Sequence, residues 1–133
     1  MDITRYGIGV ATRLGIDEAE AAVRAALSEQ GFSILTEIDV AATLEAKLGV
    51  AREPYRILGA CNPHLASRAL AIDPQVGLLL PCNVIIHQTA EGTRVEVIEP
   101  SIMAELVADP AMAGVAEEAR RRLVDALGAL VEA

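Results

Sequence analysis

Hydrophobic and polar residues alternate with two periods along this chain, and the changes of period mark out its elements. Tyr6, Ile8 and Val10 alternate with Arg5, Gly7, Gly9 and Ala11. That is the period of two that a half-buried strand needs, so a first strand is predicted over 4–11. The period then shifts to that of a helix over 16–30, with Ile16, Ala19, Val23, Ala26 and Leu27 as one apolar stripe. Asp17, Glu18 and Glu20 crowd its first turn, where negative charge is favoured, and Gly31 stops it. A second strand follows over 32–38. Asp39 then caps a short helix that carries Val40, Leu44 and Leu48 on one side and ends at Gly49.

After a loop over 50–54, residues 56–60 read as a third, central strand. Asn62 and Pro63 are a strong helix start, because Asn caps well and Pro is tolerated at the first helical position. That helix runs to about Ala71 with Leu65, Ala69 and Ile72 inward, and Asp73-Pro74 with Gly77 makes a turn. Residues 78–87 form a fourth strand region broken at Pro81, which cannot donate into a ladder. A turn over 89–92 leads to a fifth strand over 93–99, with Val95 and Val97 on one face and Arg94 and Glu96 on the other. A short helix or turn occupies 100–108. Asp109-Pro110 restarts a helix to about Val131, its apolar side made by Met112, Val115, Ala119, Leu123, Ala126, Leu127 and Leu130.

Helix-linked strands followed by a hairpin point to an α+β domain, a two-layer sandwich with a mixed sheet of about five strands and helices packed on it. A length of 133 residues and a hydrophobic content of 53% fit one domain over 1–133 with an aliphatic core. The formal charge of −8 repels a phosphate backbone, and the chain has one Phe, two Tyr and no Trp, so a nucleic-acid partner is not expected. The basic run Arg120-Arg121-Arg122 follows Glu117 and Glu118, which places opposite charges four residues apart on one helix face. No stretch reaches 18 apolar residues and no leader pattern opens the chain, so no membrane partner and a cytoplasmic setting are expected. Two cysteines make no disulfide framework.

The candidate chemistry gathers in one stretch and its echo. Tyr55-Arg56-Ile57-Leu58-Gly59-Ala60-Cys61-Asn62-Pro63 and Gly77-Leu78-Leu79-Leu80-Pro81-Cys82-Asn83-Val84 each run an apolar segment into a Cys-Asn pair beside a proline. Cys61 precedes a helix start, where free amides and the dipole lower a thiol pKa, so it can be read as a nucleophile or redox group with Cys82 resolving and His64 assisting. Packing is the competing role for both cysteines. Asn62 reads as a cap or a ligand contact, and Asn83 as a partner of the irregular backbone around Pro81 or a ligand contact. Arg56 and Arg68 could hold an anionic small molecule or sit in surface ion pairs. Cys61, His64, Cys82 and His87 offer two sulfurs and two nitrogens to zinc, but the second pair lacks compact spacing, so no metal and no cofactor is expected. The chain has no GxGxxG, phosphate loop, paired CxxC, HExxH or GxSxG.

These same segments, with Gly31-Phe32, Thr36-Glu37-Ile38-Asp39-Val40, Lys47-Leu48-Gly49-Val50, Ala69-Leu70 and Glu99-Pro100, give the chain a specific likeness. Over roughly residues 5–105 it resembles the DUF302 family, the TT1751-like proteins, with a variable helix after Pro110. The resemblance implies a compact two-layer α/β sandwich, often homodimeric, and carries no reaction or catalytic residues with it. Three functions follow. The first is a small-ligand-binding domain, with Arg56, Cys61, Asn62, His64, Pro81, Cys82 and Asn83 around a cleft for a small polar or sulfur-containing molecule. The second is a thiol-dependent or redox enzyme using Cys61. The third is a structural homodimer that pairs an apolar helix face.

Overall fold

Local chemistry sets most element boundaries. The computed structural model describes residues 1–131, and the last two positions of the expected domain lie outside the described residues. The elements are β1 (Asp2–Ile3), β2 (Gly7–Thr12), α1 (Ile16–Glu29), β3 (Ser33–Asp39), α2 (Val40–Leu48), β4 (Tyr55–Cys61), α3 (Pro63–Ile72), a 3-10 turn (Pro74–Leu79), β5 (Cys82–Thr89), β6 (Gly92–Ile98), α4 (Ser101–Leu106) and α5 (Ala111–Gly128). The expected caps are present. Asp39 Oδ1 accepts from Ala42 N at 2.9 Å, and Gly49 closes α2 in the left-handed region at φ 67°. Asp109 Oδ1 accepts from Ala111 N at 2.9 Å.

The sheet corrects the expectation in two ways. It has six strands rather than five, in the order β1-β2-β6-β5-β4-β3, and every neighbouring pair is antiparallel rather than mixed. A parallel neighbour needs a connection that returns along the sheet. Neither α2 nor α3 makes one. No residue of α2 is fully buried, so the chain leaves β3 and re-enters beside it running the other way. The long excursion is α1, which carries the chain from β2 across to the opposite edge and packs over β5, β6 and β3. The additional strand, β1, is two residues long, too short for an alternation to show; Thr4 N donates to Gly7 O at 2.8 Å in the turn that joins it to β2.

Helices cover one face of this sheet. Ile8, Val10, Leu58, Val84, Ile86, Val95 and Val97 meet Val23 and Leu27 of α1 and Met112, Leu123 and Leu127 of α5 in a single aliphatic core. Every apolar residue expected on the last helix is buried, so that helix covers the sheet of its own chain. The register places Tyr55, Ile57, Asn83, Ile85, His87, Arg94, Glu96 and Ile98 on the opposite face, turned away from this core.

Candidate functional site

The two Cys-Asn stretches are neighbours. β4 and β5 pair so that Ala60 faces Cys82 and Gly59 faces Asn83. This contact depends on Gly59: a Cβ there would lie 2.2 Å from Thr36 Oγ1 and 2.8 Å from Pro81 Cγ. Pro81 therefore sits over a strand that has no side chain beneath it.

Between the stretches there is little room. A void of about 30 Å³ lies among Phe32, Cys61, Leu65, Leu80, Cys82 and Met103. That is about the volume of one liquid water, and the walls are apolar. On its other side the wall formed by Leu80, Pro81, Cys82 and Met103 borders a groove of about 250 Å³. The groove runs between 78–83 and 98–106, with Ile98, Pro100, Ile102 and Leu106 as its far side. Leu78 is 89% exposed and Leu106 66% exposed at its rim.

The expected site residues take separate jobs. Asn62 is buried and caps α3: its Oδ1 accepts from His64 N at 3.1 Å and Leu65 N at 3.2 Å, and its Nδ2 donates to Gln30 O at 3.3 Å. Arg122 donates to the same carbonyl at 3.2 Å, so one oxygen ties the ends of α1 and α3 to α5. Pro63 has no N–H, and Ala66 N donates to Asn62 O at 2.9 Å. With no N–H on Pro63, the first-turn amides of His64 and Leu65 are both held by the Asn62 side chain and are not free for a Cys61 thiolate.

Cys61 is half-buried at the end of β4. Cys82 is half-buried at the start of β5. Burial first, and the nearby Cys61 second, push its thiol from the usual 9.0 up to about 11, so it is protonated at neutral pH. His64 is exposed. Arg56 belongs to the ion-pair group on α1, with Asp17 at 2.7 Å and Glu20 at 3.2 Å. The hydrogen bond to Asp17 is the main reason its pKa is raised. Arg24 extends the group from Glu20 to Glu37. Arg68 pairs with Glu118 at 3.0 Å, and Arg68 followed by Arg122 holds that carboxyl below its ordinary range. Neither arginine reaches the Cys-Asn region through these contacts.

His87 lies on the face turned away from the core, opposite Tyr55, whereas Cys82 shares the core-facing parity of Ala60. No group of three or more His, Cys, Asp or Glu among the described residues is placed to hold a metal ion. His87 instead donates from Nε2 to Glu96 Oε2 at 2.9 Å. That pair and the groove wall at 98–106 were not singled out as a site from the sequence. Three consecutive leucines at 78–80 are the one available signal. In a strand they would alternate faces, but the 3-10 turn buries Val76 and exposes Leu78 and Leu79.

One open antiparallel sheet with helices packed against it over a single aliphatic core defines a two-layer α+β domain. The chain belongs to the DUF302 family, a domain of unknown function whose family model matches residues 8–130. It is similar to the crystal structure of an uncharacterized conserved DUF302 protein from Bacillus stearothermophilus. The two share 27% identity and a TM-score of 0.88, covering 96% of this chain and 99% of that one. No curated protein matches the sequence. Among the described residues no helix is long and apolar enough to cross a membrane.

Proposed function

We propose that this domain binds a small, largely apolar molecule in the groove between 78–83 and 98–106. The carrying observation is the contrast in space: about 30 Å³ between the Cys-Asn stretches against about 250 Å³ beside them. The larger volume lies just under the range of about 300–1,000 Å³ common for small-molecule sites. Its composition fits the same pattern, with mostly aliphatic walls, one thiol, one amide and the Glu99 carboxylate, which is paired with Arg120 at 3.0 Å. Pro81, Cys82 and Asn83 stay in the proposal as groove wall. Arg56 in its ion pairs and Asn62 as a helix cap support the fold around it, Cys61 lines the small void, and His64 is exposed outside the groove. The occupant is thereby less polar than the sequence suggests.

A thiol mechanism fits less well, because Cys82 is held neutral and the amides that would stabilise a Cys61 thiolate are taken by Asn62. Pairing through the last helix also lacks a surface, since its apolar stripe is inside.

The neutral dye N-phenyl-1-naphthylamine, bright only in apolar surroundings, tests the groove. Saturable binding of one dye per chain is expected. Leu106→Glu places a charge on the rim at an exposed position and is expected to weaken binding at least about tenfold, with Tm unchanged. Absence of saturable binding, or equal binding by the variant, would overturn the proposal.

A further inference from the structure

The apolar groove has a neighbour, with which it shares two lining residues. Asn83 and Ile98 also border a second groove, of about 280 Å³, on the sheet face turned away from the aliphatic core. Its walls include Tyr6, Tyr55, Ile85 and Glu96. These are the only two tyrosines of the chain.

Glu96 is the charged group of this second groove. Its side chain is 16% exposed, and both of its polar contacts fall on Oε2: His87 Nε2 at 2.9 Å and Arg94 Nε at 3.9 Å. Oε1 makes no hydrogen bond among the described residues. No buried side-chain oxygen or nitrogen among them lacks a partner, so Oε1 is open to the groove or to solvent. The carboxylate reaches this place because β2 has no side chain at position 9. A Cβ on Gly9 would lie 2.7 Å from Glu96 Cγ and 2.5 Å from an Arg94 Nη2.

The surrounding cations are occupied. Arg94 Nη2 donates to both carboxylate oxygens of Asp2 at 3.1 Å. The Arg52 guanidinium lies 4.8 Å from the Tyr55 ring centre, and that of Arg5 lies 5.9 Å from the Tyr6 ring centre. What the groove offers a visitor is thus an open carboxylate oxygen, flanked by two tyrosine side chains whose rings already have guanidinium groups beside them. The carboxylate favours positive charge and hydrogen-bond donors, and a carboxylate or phosphate visitor would meet Glu96 with like charge. The chain's net charge of −8 acts in the same direction.

We propose that the ligand of this domain is an amphiphilic amine, with its hydrocarbon tail in the groove between 78–83 and 98–106 and its ammonium head on Glu96 between Tyr6 and Tyr55. This rests on the reading of the apolar groove given above and adds the chemistry of the head group.

Three probes with one tail separate the two readings: n-octylamine, 1-octanol and n-octanoate, at pH 7 and below their aggregation concentrations. The chain has no tryptophan, so tyrosine emission reports the second groove directly, and displacement of N-phenyl-1-naphthylamine reports the first. Octylamine is expected to bind at least about tenfold more tightly than octanoate, with octanol between them. Glu96→Gln is expected to remove the advantage of the amine over octanol while leaving octanol's own affinity unchanged. Octanoate binding as tightly as octylamine would overturn the head-group assignment, and so would an amine preference that survives Glu96→Gln. If octanol displaces the dye and the amine does no better, the head-group assignment fails alone. If none of the three displaces it, the groove reading fails as well. The comparison of probes on the unaltered protein holds whatever Glu96→Gln does to stability.

Discussion

Gly59→Ala is expected to destabilise the protein by about 2–3 kcal/mol, the upper part of the usual range for overpacking. Gly59 has no free direction for a methyl group. On the face turned away from the core it is flanked by Thr36 Oγ1 on β3, 2.2 Å from where a Cβ would lie, and by Pro81 Cγ, at 2.8 Å. Thr36 can rotate its hydroxyl away, but the pyrrolidine ring of Pro81 is rigid and has no rotamer to change. Relief must come from shifting the 80–82 backbone, which is the wall of the apolar groove. Urea unfolding at constant m-value measures the loss. Ligand binding by the folded variant should weaken with it. A variant as stable as the parent would show that the β4–β5 junction has slack, and that the groove wall is not fixed by Gly59.

The second large effect is alkaline. The Cys82 thiol is pushed to about 11 in the folded chain, from the usual 9.0, chiefly by burial and then by Cys61. A raised folded pKa means that above pH 9 the unfolded chain releases a proton that the folded chain retains. Stability from this group is therefore complete below pH 9 and falls as pH rises toward 11. The loss amounts to about 2–3 kcal/mol. Other groups titrate in the same window, so the useful quantity is a difference. Between pH 8 and 11 the parent should lose about 2–3 kcal/mol more than Cys82→Ala. Parallel stability curves would mean that Cys82 ionises as readily in the folded chain as in the unfolded one. That would return it to the list of reactive thiols.

Both effects concern a junction whose parts were visible in the sequence and whose purpose was not. Asp39, Asn62-Pro63 and Asp109 announce their helices because a cap is a contact between residues two or three apart. The stripe from Met112 to Leu130 announces a buried helix for a similar reason, since its period is local. Strand order depends instead on which face a connecting helix covers. The apolar positions of α2 at Val40, Leu44 and Leu48 suggest a packed crossover helix, but Val40 and Leu44 are only half-buried and Leu48 is exposed, so β4 returns antiparallel to β3.

The site shows the same division. The adjacency of the Cys-Asn stretches follows from β4–β5 pairing, and the likeness of the two segments hinted at it. That Asn62 serves as a cap was legible in its neighbour Pro63. The groove was not legible, because its far wall lies at 98–106 and its near wall at 78–80 looks like strand. Asp73-Pro74 in fact starts a 3-10 turn, with Asp73 Oδ1 accepting from Gln75 N at 3.0 Å. That turn rotates Leu78 and Leu79 outward. The pairing of His87 with Glu96 also required the sheet register, which sets β5 against β6 with the two residues diagonal to one another.

The central claim is that the groove beside Cys82, and not the narrow gap between the cysteines, holds a ligand. Intermolecular proton contacts between 1-octanol and the methyl groups of the protein, observed by NMR on the unaltered chain, test it most directly. Contacts to the methyls of Leu78, Ile102 and Leu106 that saturate at one alcohol per chain are the predicted result. Contacts confined to Leu65 and Val115 around the small void, or none that saturate, would contradict it.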